Sequence, residues 1–571
     1  MELADAIKVR RVDNVHVRKG PRAGKSGCLV LVEHHLLFSP SSESGGNDNE
    51  LWLLHRAVDR VSMDPIGREQ PPRAALLTLK LKNFMIIMFE IPSYEDAKLA
   101  AITIETLANI TDYSHDYPFY YRCPFQVLDD GWKAFDIEQE YARLTVLAGD
   151  AYRISSVNEN FAICSSYPEK VIVPKGIGDD YLRISATFRD GGRFPIISYF
   201  HRETKSCILR CGQPLVGPAN RRCKEDETIL NSLLTINKGI IFDTRSKQIA
   251  QGSKSKGGGH ETPQCYHRWR YVNLGTPRLR ELRDSLSKMV ELSNDRAVSS
   301  DKYVSKLYSS GWLQSVADNL TCAANVAKCV HCEGTQEVPV VVHGGEGVDS
   351  TLVAVSLAQV LLDPDARTIR GFQSLIEREW IMGGHPFALR NAHCAYAEGS
   401  ITGPQEGPVF LCFLDCMHQI IQQFPHSFEF GEELLIFLFE HAYASEFGSF
   451  LGNNEKEKRA LNAKKLTVSL WSHVNNPEVL RTFVNVIYEP RTEVIWPSVE
   501  PQSIKVWSRL FLRWQKDWLE EDSIKKAAQQ WRAKEKELTT KALVLRKQLI
   551  ELSKEASLCS NLKKATLSPA N

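Results

Sequence analysis

The sequence has 571 residues and contains no run of 18 apolar ones. Its best candidate for a membrane span, Val409 to Ile421, is interrupted by Asp415 and His418, so no transmembrane helix is expected. Net charge is almost absent, +1 with 24% charged residues, so no global field draws the chain to nucleic acid. The start, MELADAIKVRR, is charged too early for a signal peptide. Cys329 and Cys332 make one C-x-x-C around His331, but no second pair follows at zinc-finger distance. No metal site is expected there, and no cofactor motif occurs. Fourteen cysteines are scattered along the chain, which suits free, mostly buried thiols better than a disulfide framework. Cys207 and Cys211 alternate with apolar residues in the manner of strand packing. These absences point to a cytoplasmic protein that touches membranes at most peripherally.

The most informative stretch that is present is VPVVVHGGEGVDSTLVAVSLAQVLL, Val338 to Leu362. Val338 and Val340–Val342 are β-branched and run into a glycine cluster, the pattern of a short buried strand. Asp349, Ser350 and Thr351 can cap a helix whose residues Leu352, Val355, Leu357, Val360 and Leu361 follow helical spacing. A strand, a loop holding Gly344, Gly345 and Gly347, and a helix N-terminus together make an anion cradle. The cradle suits a phosphate, yet the chemistry of phosphate hydrolysis is missing. Such a loop needs a cysteine at the strand end, held as thiolate, and an arginine at the helix start to clamp two oxygens. Gly344 and Ser350 occupy those places.

Other chemistries fit less well. No lysine sits where a P-loop requires one, and Ser350 lacks the G-x-S-x-G elbow of a serine hydrolase. His343 at the strand end is read as orienting the loop, and Arg189 and Arg193 as surface arginines that could also line the cleft.

The loop and its sequel RTIRGFQSLIEREWIMGGHPF (Arg367 to Phe387) resemble the myotubularin family of phosphoinositide 3-phosphatases. That family's loop runs His-Cys-Ser-Asp-Gly-Trp-Asp-Arg-Thr. His343, Gly347, Asp349 and Thr351 are kept, Glu346 stands for the family aspartate and Val348 for its tryptophan. Asp349 falls where the family places its general acid. Further matches are YYRCPFQVLDDGWKAFD (Tyr120 to Asp136), FRDGGRFPIISYFH (Phe188 to His201), CGQPLVG (Cys211 to Gly217) and SFEFGEELLIFLFEHAYASEFGSFLGNN (Ser427 to Asn454). GSKSKGGGHE (Gly252 to Glu261) also matches, although its composition alone reads as a flexible linker.

Length suggests three or four domains, and the expectation is a multidomain chain. Residues 1–110 have several strand-like runs (Cys28–Val32, Glu50–Leu54, Leu76–Lys82, Phe84–Ile91) closed by a helix with Ser93 and Asp96 at its start. That outline fits a β-rich, pleckstrin-homology-like barrel, and LWLLHRAVDRV (Leu51 to Val61) resembles the family's GRAM domain. Residues 120–503 are expected to form an inactive α/β domain of the cysteine-phosphatase, myotubularin-like type. Residues 510–558 hold a coiled coil, and residues 559–571 a disordered tail. Ile524, Trp531, Leu538, Leu545 and Leu552 recur every seven residues, with Ala528, Glu535, Ala542, Leu549 and Ala556 between them. The competing reading is a surface helix packed on its own domain.

The resemblance implies a pseudophosphatase that binds active myotubularin-related phosphatases as a hetero-oligomer, with a homodimer also compatible, and modulates them at endomembranes. The alternative is a phosphoinositide-binding membrane scaffold with no enzyme partner.

Overall fold

The computed structural model describes all but residues 1–2, 20–23, 42–49, 68–70, 236–237, 296–297, 333–337, 397–404, 515–518 and 566–571, together with the side chains of 19, 332, 519–526 and 556–565.

The N-terminal part is one antiparallel sheet of seven strands: β1 (Arg11–Lys19), β2 (Lys25–Leu31), β3 (His35–Pro40), β4 (Leu51–Leu54), β5 (Val58–Ile66), β6 (Ala74–Leu81) and β7 (Ile86–Ile91). They lie in the order β4-β3-β2-β1-β7-β6-β5. Period-two patterning drives it: in β6 the residues Ala75, Leu77, Leu79 and Leu81 are buried and those between them are not. The helix Tyr94–Ala108 packs across the sheet, started by Ser93, whose hydroxyl accepts from the Asp96 N–H at 3.2 Å. Strands β1, β3 and β5 lie outside the runs expected from composition. In β1, Asn14 at φ 55° makes a bulge between Val12 and Val15 and interrupts the alternation. Pro65 is tolerated in β5 because that strand is an edge.

Polar contacts tie this sheet to the rest of the chain. The Asp59 carboxylate accepts from the N–H groups of Cys394 (2.8 Å) and Tyr396 (2.9 Å). Trp514 donates to the Asn83 carbonyl at 2.8 Å, which anchors the approach to the C-terminal helix.

The middle of the chain holds a two-stranded pair, β8 (Tyr152–Ser155) with β9 (Val171–Pro174), and a five-stranded sheet. The latter comprises β10 (Ile196–Phe200), β11 (Cys207–Cys211), β12 (Gly239–Asp243), β13 (Trp269–Asn273) and β14 (Val340–His343), ordered β10-β11-β14-β12-β13. β14 is central and runs parallel to both neighbours, so every residue in it is buried. The next helix, Ser350–Leu362, is buried from Thr351 onward around its whole circumference, wider than the single apolar face expected. Its neighbours include Trp312–Cys332 and Val409–Gln423. In the second of these Asp415, which interrupts the apolar run, accepts from Trp312 Nε1 at 2.8 Å within the core. Among the described residues no helix is long and apolar enough to cross a membrane, and every described cysteine is a free thiol, with Cys207 and Cys211 buried in β11 as expected.

The last element is a helix of 47 residues, Leu519–Ala565. It continues past Cys559, where the sequence predicts the start of a tail. Trp531, Leu538, Leu545, Leu549 and Leu552 are each more than half exposed, so this part of the helix is not packed on its own domain. The side chain of Ile524 lies outside the described residues.

Candidate functional site

The loop His343–Ser350 leaves the C-terminal end of β14, where ligands of open α/β sheets bind. Its backbone is held from outside. Gly345, Gly347 and Val348 offer their carbonyls to the Gln213 N–H (2.9 Å), Arg193 Nη2 (3.0 Å) and His385 Nδ1 (2.8 Å). Gly347 has φ +81°, and a Cβ there would stand 2.4 Å from the Cys211 carbonyl oxygen, so only glycine passes over β11 at this point. With the carbonyls turned away, no described acceptor of the protein takes the backbone N–H groups from Gly344 to Thr351.

Beneath it lies a buried ionic chain. Both His343 nitrogens face acceptors, Nε2 the Glu261 carboxylate at 2.9 Å and Nδ1 the Gly344 carbonyl at 3.3 Å. Glu261 also accepts from Arg189 (2.6 Å), and Arg189 forks onto Asp226 with contacts of 2.9 and 2.6 Å. Asp226 is completed by Ser185 and Tyr266. Burial opposes charge on His343, but Glu261 and Asp243 outweigh it and raise its pKa. Burial likewise opposes the Glu261 carboxylate, and His343 and Arg189 outweigh it and hold it far below the usual range. His343 thus joins the loop, through the Gly344 carbonyl, to the Glu261 carboxylate beneath it. Arg189 and Arg193, read from sequence as surface residues, are both fully buried. Arg189 is neutralised by two carboxylates, and Arg193 stacks on Tyr167 at 4.3 Å while bracing the loop. The stretch Gly252 to Glu261 is no linker; it delivers Glu261 under the loop.

The reacting positions are different in kind. Gly344 has no side chain, and its place is closed by Thr244 and Ser350, whose hydroxyls hydrogen-bond at 2.7 Å. Asp349 is the N-cap residue by position, yet its side chain makes no capping bond. Its carboxylate is clamped by Arg390 through contacts of 2.9 and 2.8 Å and lies 3.4 Å from His385 Nδ1. Burial pushes its pKa up, but His385 and Arg390 overcome this and hold it well below the carboxylate range. Glu346, within the loop, is exposed. Cys211, below Gly347, offers no substitute nucleophile: burial pushes its thiol up to about 12.

The arrangement can bind an oxyanion through backbone N–H groups, against the charges of Glu346 and Asp349. Among the described residues, the loop itself carries neither a cysteine nor an arginine, and its Asp349 is paired with Arg390. Thr244, Glu261, Asp226, His385 and Arg390 complete the site from four other segments. Of these, only Glu261 and His385 lie within stretches that the family resemblance picks out.

A profile of the myotubularin-like phosphatase domain matches residues 116–459. The chain is 59% identical to a Caenorhabditis elegans protein described as myotubularin-related protein 9, over 98% of this chain and 100% of that one. It is 45% identical to the Homo sapiens protein of the same description, over 97% of this chain and 99% of the relative. The human phosphatidylinositol-3,5-bisphosphate 3-phosphatase MTMR6 is 32% identical over 90% of this chain and 80% of its own length.

Proposed function

The chain belongs to the myotubularin family, and on that premise we propose that it is a pseudophosphatase acting as a regulatory or adaptor subunit. It binds active myotubularin phosphoinositide 3-phosphatases through its C-terminal helix and alters their activity, stability or location. The observation that carries the reading is the state of the loop. Nucleophile and clamp are replaced by Gly344 and Ser350, and the remaining acid, Asp349, is locked by Arg390. Losing a nucleophile alone removes nearly all the rate of a concerted catalytic unit.

The partner function is supported by the exposed heptad residues of the C-terminal helix, whose apolar seam has no cover among the described residues of the chain. The N-terminal curled sheet with its closing helix supports a PH/GRAM-like module that brings the protein to endomembranes from the cytoplasm. A second reading, a phosphoinositide-binding scaffold without an enzyme partner, draws on the free N–H groups of the loop. Glu346 and Asp349 beside those groups weigh against it. Purification from cells distinguishes the two: co-elution with an active myotubularin phosphatase supports the subunit, whereas a chain that elutes alone and binds phosphoinositide vesicles supports the scaffold.

A further inference from the structure

At the opposite pole of the central sheet from the loop, three potential metal ligands converge. His201 directly follows β10, Glu203 lies in the turn to β11, and His331 sits at the end of the helix Trp312–Cys332. One ligand atom of each lies within 4.8 Å of the others. His201 Nε2 and His331 Nδ1 are 3.1 Å apart, and His331 Nδ1 is 3.6 Å from a Glu203 oxygen. We propose that these three residues form a zinc-type divalent-cation site that clips the β10–β11 turn to the end of that helix.

The two imidazoles are spaced for the ion, and the exposed Glu203 carboxylate lies close enough to join them. Ligands about 2.0–2.1 Å from a tetrahedral zinc stand roughly 3.3 Å from one another, the spacing of the two imidazoles. Neutral imidazole and carboxylate suit zinc's borderline character. The second nitrogen of His201 is placed for its supporting role, since Nδ1 lies 3.3 Å from the Tyr199 hydroxyl and leaves Nε2 to face the ion. Both ligand-bearing pieces are already in register. Thr204 donates to the Val330 carbonyl at 2.7 Å, and the turn closes on itself through the Lys205 N–H to the His201 carbonyl at 3.0 Å. Without an ion, the two imidazole nitrogens can share only one proton between them. Glu203 is exposed, so water can take the fourth position. The site lies one strand length from the loop, and its role is to hold the fold together.

The test is titration of the full chain, stripped with chelator and kept reduced, with Co2+ as a spectroscopic stand-in for zinc. The expected result is one equivalent bound with the visible bands of a tetrahedral nitrogen–oxygen site, no thiolate charge-transfer band, and displacement by Zn2+. Binding should weaken by at least about tenfold in Glu203→Gln and be lost in His331→Gln and His201→Gln. His331 is only half-buried at a helix end, so its variant decides the matter even if His201→Gln does not fold. The proposal is overturned by failure to bind one equivalent, by binding that survives His331→Gln, or by a thiolate band that disappears in Cys329→Ser.

Discussion

The hydroxyls of Thr244 and Ser350 meet at 2.7 Å across the point where a side chain on residue 344 would stand. A Cβ added to Gly344 would lie 2.6 Å from Thr244 Oγ1 and 3.2 Å from Ser350 Oγ. The missing nucleophile and the pair that fills its place are therefore one feature, and the loop cannot be repaired by one substitution.

Gly344→Cys should be inert towards phosphoinositides and less stable than the parent by about 1–3 kcal/mol, the usual cost of overpacking. Thr244→Ala in the same chain should recover most of that loss in a thermal melt. Adding Ser350→Arg should still give no steady turnover, because Asp349 remains bound to Arg390. Sustained phosphate release by a folded Gly344→Cys/Ser350→Arg chain would mean that Asp349 escapes its clamp.

The two neighbouring glycines should respond oppositely to alanine. Gly345 has open space at its Cβ position and no left-handed φ, so Gly345→Ala should change stability by less than about 0.5 kcal/mol. Gly347→Ala meets a carbonyl oxygen at 2.4 Å and a φ of +81°, and should cost about 2 kcal/mol or more. Equal midpoints for the two variants in urea would contradict the loop geometry.

The ionic chain gives a signed pH dependence. The pKa of His343 is raised above 6.5 by folding, so its contribution is complete below pH 6.5 and fades as pH rises through the raised value. The pKa of Glu261 is depressed, so its contribution is present above pH 4.5 and is lost only as pH falls through the lowered value. The stability gap between the parent and His343→Gln should therefore be larger at pH 6 than at pH 9 in urea denaturation. At pH 6 it should approach the roughly 3–5 kcal/mol that breaking a buried pair costs. A gap that does not change with pH would show that His343 is held neutral.

Leu538→Glu with Leu545→Glu puts two charges into the helical seam at positions that are more than half exposed in the chain alone. Pairing with an active myotubularin phosphatase should be abolished, with the thermal melt of the globular part unchanged. Co-precipitation that survives the double change would place the interface elsewhere.

Much of the site could be read locally because β14, its glycines and the helix after them are contiguous and each obeys a short-range rule. The supporting charges could not. Glu261 is 82 residues from His343 and Asp226 is 37 from Arg189, and no periodicity announces such a pairing. Arg189 and Arg193 resemble surface residues in the sequence because burial of an arginine depends on partners that only the fold brings together. Asp349 sits at an acid's place in the sequence, but only the three-dimensional neighbourhood of Arg390 and His385 shows that it is locked. The same limit hides His201 and Glu203 from His331, whose local C-x-x-C setting points to the cysteines instead.

The central claim, that this loop has the form of a phosphatase and none of its turnover, is tested most directly by phosphate release. Purified chain would be incubated with phosphatidylinositol 3-phosphate and with phosphatidylinositol 3,5-bisphosphate. The expected result is release no greater than in buffer, with the protein folded and its melt cooperative. Release that persists through repeated chromatography and vanishes on a substitution in the loop would contradict it.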